Sequence, residues 1–134
     1  MSATHEPLLG QPLQVSLTVK DLQKSVTWYT DVVGFTITRK IERDGQLRGM
    51  AVQAGDVRIV LNQDDGAKGW DRVKGEGFSL YLVTAQRIDD VARGIKERGG
   101  ALEMEPKDMP WGARIFRLRD PDGFRWTISE VRAA

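Results

Sequence analysis

The two halves of this chain carry nearly the same pattern, and that repeat limits the possible folds more than any other feature. The first half closes with Asp56-Val57-Arg58-Ile59-Val60-Leu61 and the second with Gly123-Phe124-Arg125-Trp126-Thr127-Ile128. When one is set under the other, Arg58 falls on Arg125 with apolar residues on either side. Further upstream, each half has a strand-like run leading into an amphipathic helix that ends at glycine. Those ends are Val33-Gly34-Phe35 and Arg98-Gly99-Gly100. The offset is about 66 residues, longer than a solenoid unit and suited to a duplicated half-domain. A duplicated sheet module creates a shared concave surface, and a small ligand would sit there.

Periodicity supplies the elements. Leu13, Val15, Leu17 and Val19 alternate with Gln14, Ser16 and Thr18, the pattern of a half-buried strand. Asp21 reads as an N-cap. Leu22, Val26, Tyr29 and Val33 then stripe one face of a helix that Gly34 ends. A strand over 35–41, a turn at Asp44-Gly45 and a hairpin of 49–54 with 57–62 complete the first half. The second half repeats the order: a strand over 78–83, a helix striped by Ile88, Val91 and Ile95, and a strand over 101–104. A rigid loop over 106–110 precedes a closing hairpin of 114–118 with 124–130, turned at Asp120-Pro121-Asp122-Gly123. Each half therefore reads strand-helix-strand-strand-strand. The expected fold class is α+β, with duplicated βαβββ modules curled around a cavity. The division is a leader over 1–10 and one domain over 11–131. Within that domain, module one covers 11–63, a connector 64–77 and module two 78–131; the last four residues are a short tail.

At 134 residues the chain has room for one domain with a core of ordinary size. Its formal net charge is +1, and its basic residues are scattered, so nothing points to nucleic acid. No apolar run is long enough to span a bilayer. The first twelve residues lack a basic stretch followed by an apolar one, so no signal peptide is expected. Without cysteine there are no disulfides and no thiol chemistry, and a reducing cytoplasm fits. His5 is the one histidine and lies in the polar leader. A serine-histidine-aspartate set is therefore absent. Zinc, which usually takes two or more His or Cys ligands, is disfavoured.

These elements and motifs resemble the vicinal oxygen chelate superfamily, the glyoxalase, bleomycin-resistance and extradiol-dioxygenase group. The resemblance rests on Val19-Lys20-Asp21-Leu22, Ser25, Trp28-Tyr29 and Val33-Gly34-Phe35, and on the run from Arg119 to Trp126. It covers roughly residues 11 to 131. Trp111-Gly112 ahead of Arg114, with Arg125-Trp126-Thr127, resembles the antibiotic-binding branch without metal more than the lyases. The resemblance implies two βαβββ modules around a cavity, within one chain or across a dimer. It also implies, in metal-dependent members, four ligands from the first and last strands. Those positions fall on Gln14, on Phe78 or Leu80, on Val60 and on Thr127. Gln14 offers only a neutral carbonyl oxygen and Thr127 a hydroxyl, so the charge that anchors a divalent ion is missing. Glu130 has the opposite strand parity from Thr127 and does not replace it.

Strand parity places Gln14, Ser16, Arg58, Val60, Asn62, Phe78, Leu80, Arg125, Thr127 and Ser129 on one face, taken as the cavity side. Arg58 and Arg125 would clamp an anion by bidentate hydrogen bonds, or else each pairs with a nearby carboxylate. Trp70 and Trp111 sit in loops that would close over the cavity mouth; the bland alternative for each is local packing. Trp126 has core parity, and Trp28 reads as a core or dimer contact.

The expected ligand-binding residues are Gln14, Arg58, Val60, Trp70, Phe78, Leu80, Trp111, Arg125 and Thr127. No catalytic residue, metal or cofactor is assigned. The leading expectation is a metal-independent drug-sequestering protein that gives antibiotic resistance. It would act as a homodimer on a small aromatic or cationic molecule. The rival is a divalent-metal-dependent lyase, isomerase or dioxygenase, and a third reading is an interaction domain whose cavity is filled.

Overall fold

The computed structural model describes residues 5–131. The first four residues of the expected leader and the end of the expected tail lie outside the described residues. β1 (Gln14–Val19) buries Leu17 and Val19 and leaves Ser16 exposed, as alternation requires. The Asp21 carboxylate accepts from the Lys24 backbone N–H at 3.1 Å and caps α1 (Leu22–Thr27). The helix continues as a wider π-helical stretch, Trp28–Val33, and Gly34 ends it at φ 112°. The apolar stripe foretold one helix to Gly34 but not this widening. Thr30 Oγ1 donates to the Val26 carbonyl at 2.8 Å, a local bond that competes with the helical ladder.

β2 (Thr36–Arg43), β3 (Gln46–Ala54) and β4 (Val57–Gln63) form an antiparallel meander, and β1 lies parallel to β4. The first sheet has the order β1-β4-β3-β2. The second half gives β5 (Leu80–Thr84), α2 (Ile88–Glu97), β6 (Met104–Asp108), β7 (Arg114–Arg119) and β8 (Arg125–Glu130). Its sheet has the order β5-β8-β7-β6, again with the first strand parallel to the last. The modules share one topology, so the sequence repeat is a structural duplication. The two sheets remain separate and, among the described residues, form no closed barrel.

Two expected strands are displaced. Residues 101–103 lead into β6, which shares only Met104 with the expected strand and runs on through the expected rigid loop. Pro106 fits there because β6 is an edge strand whose register with β7 shifts between Met104 and Lys107. A proline without an N–H costs little at such an irregular edge. Phe78 lies outside β5, which starts two residues later than expected.

The modules pack back to back through their helical sides around one core. Leu17, Ile59 and Leu61 from the first sheet join Phe116, Trp126 and Ile128 from the second. Tyr29, fully buried, is the hinge between them. Its hydroxyl donates to Asp120 Oδ2 at 2.7 Å and accepts from Trp126 Nε1 at 3.0 Å. Asp120 Oδ1 accepts the backbone N–H groups of Asp122 and Phe124 at 2.9 and 2.8 Å, fixing the β7–β8 turn. Phe35 stands edge-on to both Tyr29 and Trp126, with ring centroids 5.5 and 5.8 Å away. Because the helical sides are spent on this joint, the opposite face of each sheet is turned outward. Among the described residues, no helix is long and apolar enough to cross a membrane.

Candidate functional site

The outward sheet faces are where the expected ligand residues gather. On the first sheet, Gln14 is paired with Arg58, Ser16 with Val60 and Thr18 with Asn62. Asn62 Nδ2 donates to Ser16 Oγ at 2.6 Å. Val60 and Asn62 are half-buried, whereas Gln14 and Arg58 are exposed. These residues share the face that parity assigned to them.

The second sheet corrects the parity of β5. Leu80 is paired with Trp126 and packs on the core side, so it does not face outward with Thr127. Tyr81, paired with Thr127, and Val83, paired with Ser129, occupy the outward positions. Both are more than half exposed, at 53% and 54%. The misreading has a simple cause. Leu80, Tyr81, Leu82 and Val83 are all apolar enough to be buried, so the run contains no alternation to read. The pairing register decides it, and sequence does not display that register. Phe78 is half exposed before the strand, with its ring 6.0 Å from that of Phe124.

Arg117, which sequence reasoning missed, controls the centre of the second face. It is paired with Thr127 across β7 and β8, and its Nε donates to Thr127 Oγ1 at 3.3 Å. Thr127, Ser129 and Ile115 are buried around it. Period-two alternation from Ile115 would have found it.

The expected arginine pair has divergent environments. Arg125 Nε donates to Glu103 Oε1 at 3.0 Å, and Arg119 pairs with the other oxygen of the same carboxylate. The two guanidiniums hold Glu103 below the ordinary carboxylate range, chiefly through the Arg119 hydrogen bond. Arg125 is thus held by an acidic residue of its own module, while Arg58 stands exposed near the start of the interior strand β4. Trp111 is 62% exposed in the β6–β7 loop. Trp70 is elsewhere, beside the N-terminal end of α1 in the connector.

The metal positions implied by the family do not fit. Gln14, Val60 and Thr127 supply no carboxylate or imidazole, and the Thr127 hydroxyl already faces a guanidinium. A cation placed there would meet Arg117 before it met an anionic ligand. Glu130 points away from Thr127: its Oε1 accepts from the Ile88 backbone N–H at 2.9 Å and caps α2. Among the described residues, no group of three or more His, Cys, Asp or Glu is arranged to hold a metal ion.

Known proteins share this architecture. The family described as the Glyoxalase/Bleomycin resistance protein/Dioxygenase superfamily matches residues 11–128. A lactoylglutathione lyase of Arabidopsis thaliana is 23% identical over 122 residues, covering 87% of this chain and 42% of that protein. The chain therefore spans less than half the length of that plant relative. A probable lactoylglutathione lyase of Synechocystis is 27% identical over 119 residues, covering 84% of this chain and 89% of that one. A crystal structure of a member of the same superfamily from Sphaerobacter thermophilus superposes with a TM-score of 0.74 at 24% identity. It covers 92% of this chain and 98% of its own. With a family match over most of its length and the duplicated βαβββ topology, this chain belongs to the glyoxalase/bleomycin resistance protein/dioxygenase superfamily.

Proposed function

We propose that this protein binds a flat aromatic molecule without a metal, as a drug-sequestering protein conferring resistance by mass action. The observation that carries this reading is Arg117 held against Thr127, where a metal-dependent relative would want an anionic ligand. Tyr81 and Val83 flank that centre as an exposed apolar wall. An aromatic ring laid across them would bury area while the half-buried Arg117 guanidinium supplies polar donors. Arg58 and Arg117 make the outward faces positive, which favours an aromatic over a cationic ligand.

Exposed apolar side chains on an open sheet face call for a cover. A second copy of the chain would supply one, so a homodimer is part of the proposal. Cytoplasmic residence is also proposed, on the absence of cysteine.

The competing reading is a divalent-metal-dependent lyase, isomerase or dioxygenase. It draws on relatives that carry the name lactoylglutathione lyase at 23 and 27% identity. Calorimetric titration with flat aromatic antibiotics separates the two. Binding that survives a chelator and weakens about tenfold in Tyr81→Ala supports sequestration. Binding that needs added metal, or that ignores Tyr81, overturns it.

A further inference from the structure

A second cleft lies where the connector folds over the joint between the modules. It has a volume of about 600 Å³ and is bounded by α1, the connector and the β7–β8 turn. Its floor is a buried charge cluster. Lys74, whose side chain is 7% exposed, sits 2.9 Å from Asp64 Oδ2 and 3.5 Å from Asp122 Oδ1. Asp64 also accepts the Gly66 backbone N–H at 2.9 Å. That bond and the Lys74 ammonium keep its carboxyl below the ordinary range. Asp122 accepts from the Lys20 backbone N–H at 2.8 Å and the Ser25 hydroxyl at 3.4 Å. The acidic groups at the floor are thus already engaged from within the chain.

The rim is different. Lys20, Lys24 and Arg72 line it, with Arg72 Nε 3.6 Å from Asp64 Oδ2 of the floor. The Asp21 carboxylate there is committed to capping α1. Asp71 meets Lys20 at 3.3 Å with its side chain 95% exposed, a pairing that water largely screens. Among the described residues, Lys24 is the rim cation outside any ion pair, beside the screened Lys20–Asp71 pair and the partly exposed Arg72.

Trp70 supplies a platform beside them. Gly66, at φ +77°, lets the indole lie directly on its α-carbon. A Cβ at that position would stand 2.5 Å from a ring carbon. The ring is held from below yet remains 49% exposed. A fixed aromatic surface next to a cationic rim is complementary to a planar anion, by ring stacking and charge-assisted hydrogen bonding together.

We infer that this connector cleft is a second binding site, independent of the outward sheet faces, and that it takes a small aromatic acid. The aromatic ring stacks on Trp70, and the acid group meets Lys24 and its neighbours Lys20 and Arg72. The buried cluster keeps the floor rigid and does not itself contact the ligand's charge.

The test is calorimetric titration of the full chain with 2-naphthoate, 2-naphthyl phosphate, 2-naphthol and 2-naphthylmethylamine. Both acids should bind, with the neutral alcohol about tenfold weaker and the amine weaker still. Preference between the acids reports whether the rim favours a carboxylate or a dianionic phosphate. Trp70→Ala and Lys24→Gln should each weaken the acids by about fivefold or more, and should do so equally in a Tyr81→Ala background. Lys24 is exposed, so its substitution leaves the fold intact even if removal of Trp70 loosens the connector. Equal binding of acid and alcohol, no binding of either acid, or indifference to Lys24→Gln would overturn the inference. Loss of acid binding in Tyr81→Ala alone would move the ligand to the outward faces and also overturn it.

Discussion

Replacing Tyr29 with phenylalanine isolates the joint between the modules. The ring stays, and with it the edge-on packing against Phe35 and Trp126. Only the hydroxyl goes, and two buried groups lose a partner at once. Asp120 loses a donor at 2.7 Å, and Trp126 Nε1 loses its acceptor at 3.0 Å. A hydrogen bond to a charged group is worth roughly 1.5–3 kcal/mol, and an orphaned buried donor costs roughly 1–3 kcal/mol. The expected loss is about 3 kcal/mol, a large part of the roughly 5–15 kcal/mol that holds a domain together. For a chain of this size that corresponds to a melting temperature lower by about 10 °C. The effect should also depend on pH. Burial raises the Asp120 carboxyl above its ordinary value, so this group favours folding below the range of an unfolded aspartate. That contribution is lost as pH rises through the folded value. The Tyr29 hydroxyl works against the shift by stabilising the charged form. Tyr29→Phe should therefore cost more at neutral pH than at a pH near the unfolded aspartate range, where Asp120 carries less charge and needs the donor less. Urea unfolding at both pH values, with Asp120→Asn completing a double-mutant cycle, measures this. A loss below about 0.5 kcal/mol at neutral pH, or strict additivity in the cycle, would refute the reasoning.

Other substitutions probe the remaining joints. Leu80→Asp should cost about 2 kcal/mol or more in unfolding free energy because the side chain packs on the core. Tyr81→Asp, one residue on, should cost well under 1 kcal/mol. Gly100→Ala would set a methyl 2.5 Å from Ile95 Cγ2 and 2.7 Å from Val32 Cγ1, between the two helices. A loss of about 1–3 kcal/mol should appear in the same assay. Asp64, Asp89 and Glu103 are all held below ordinary carboxylate values, by Gly66 and Lys74, by Arg114, and by Arg119 and Arg125 respectively. Their contributions are present above the unfolded carboxylate range and vanish as pH falls through the folded values. Acid melting curves should therefore steepen below pH of about 4 and become shallower in Asp89→Asn.

The fold was legible because the strongest signals were local and doubled. Asp21 as a cap, Gly34 as a helix stop, Asp120-Pro121-Asp122-Gly123 as a turn, and the matched closing strands each point to one conformation, and the structure keeps them all. The outward face of the first sheet was legible too, since β1 alternates cleanly. The second sheet was harder for physical reasons. β5 is apolar on both sides, so only its register with β8 tells which side chains face outward. β6 runs through a proline because an edge strand tolerates one. Arg125 stood at the right parity, but its partner Glu103 comes from residues that no spacing rule connects to it. The site of Trp70 depends on how the connector folds back over α1, a long-range contact with no sequence period.

The central claim is that ligand binding on the outward faces needs no metal. Purified protein, freed of any affinity tag, should be analysed for bound metal. Its melting temperature should then be measured with nickel, cobalt, zinc, manganese and ferrous iron added. With Arg117 against Thr127 and no acidic residue at Gln14, Val60 or Tyr81, the expected result is far less than about one metal per chain and no rise in melting temperature with any ion. Stoichiometric metal, stabilising the fold and lost in Gln14→Ala, would contradict the claim and make the chain a metalloenzyme candidate.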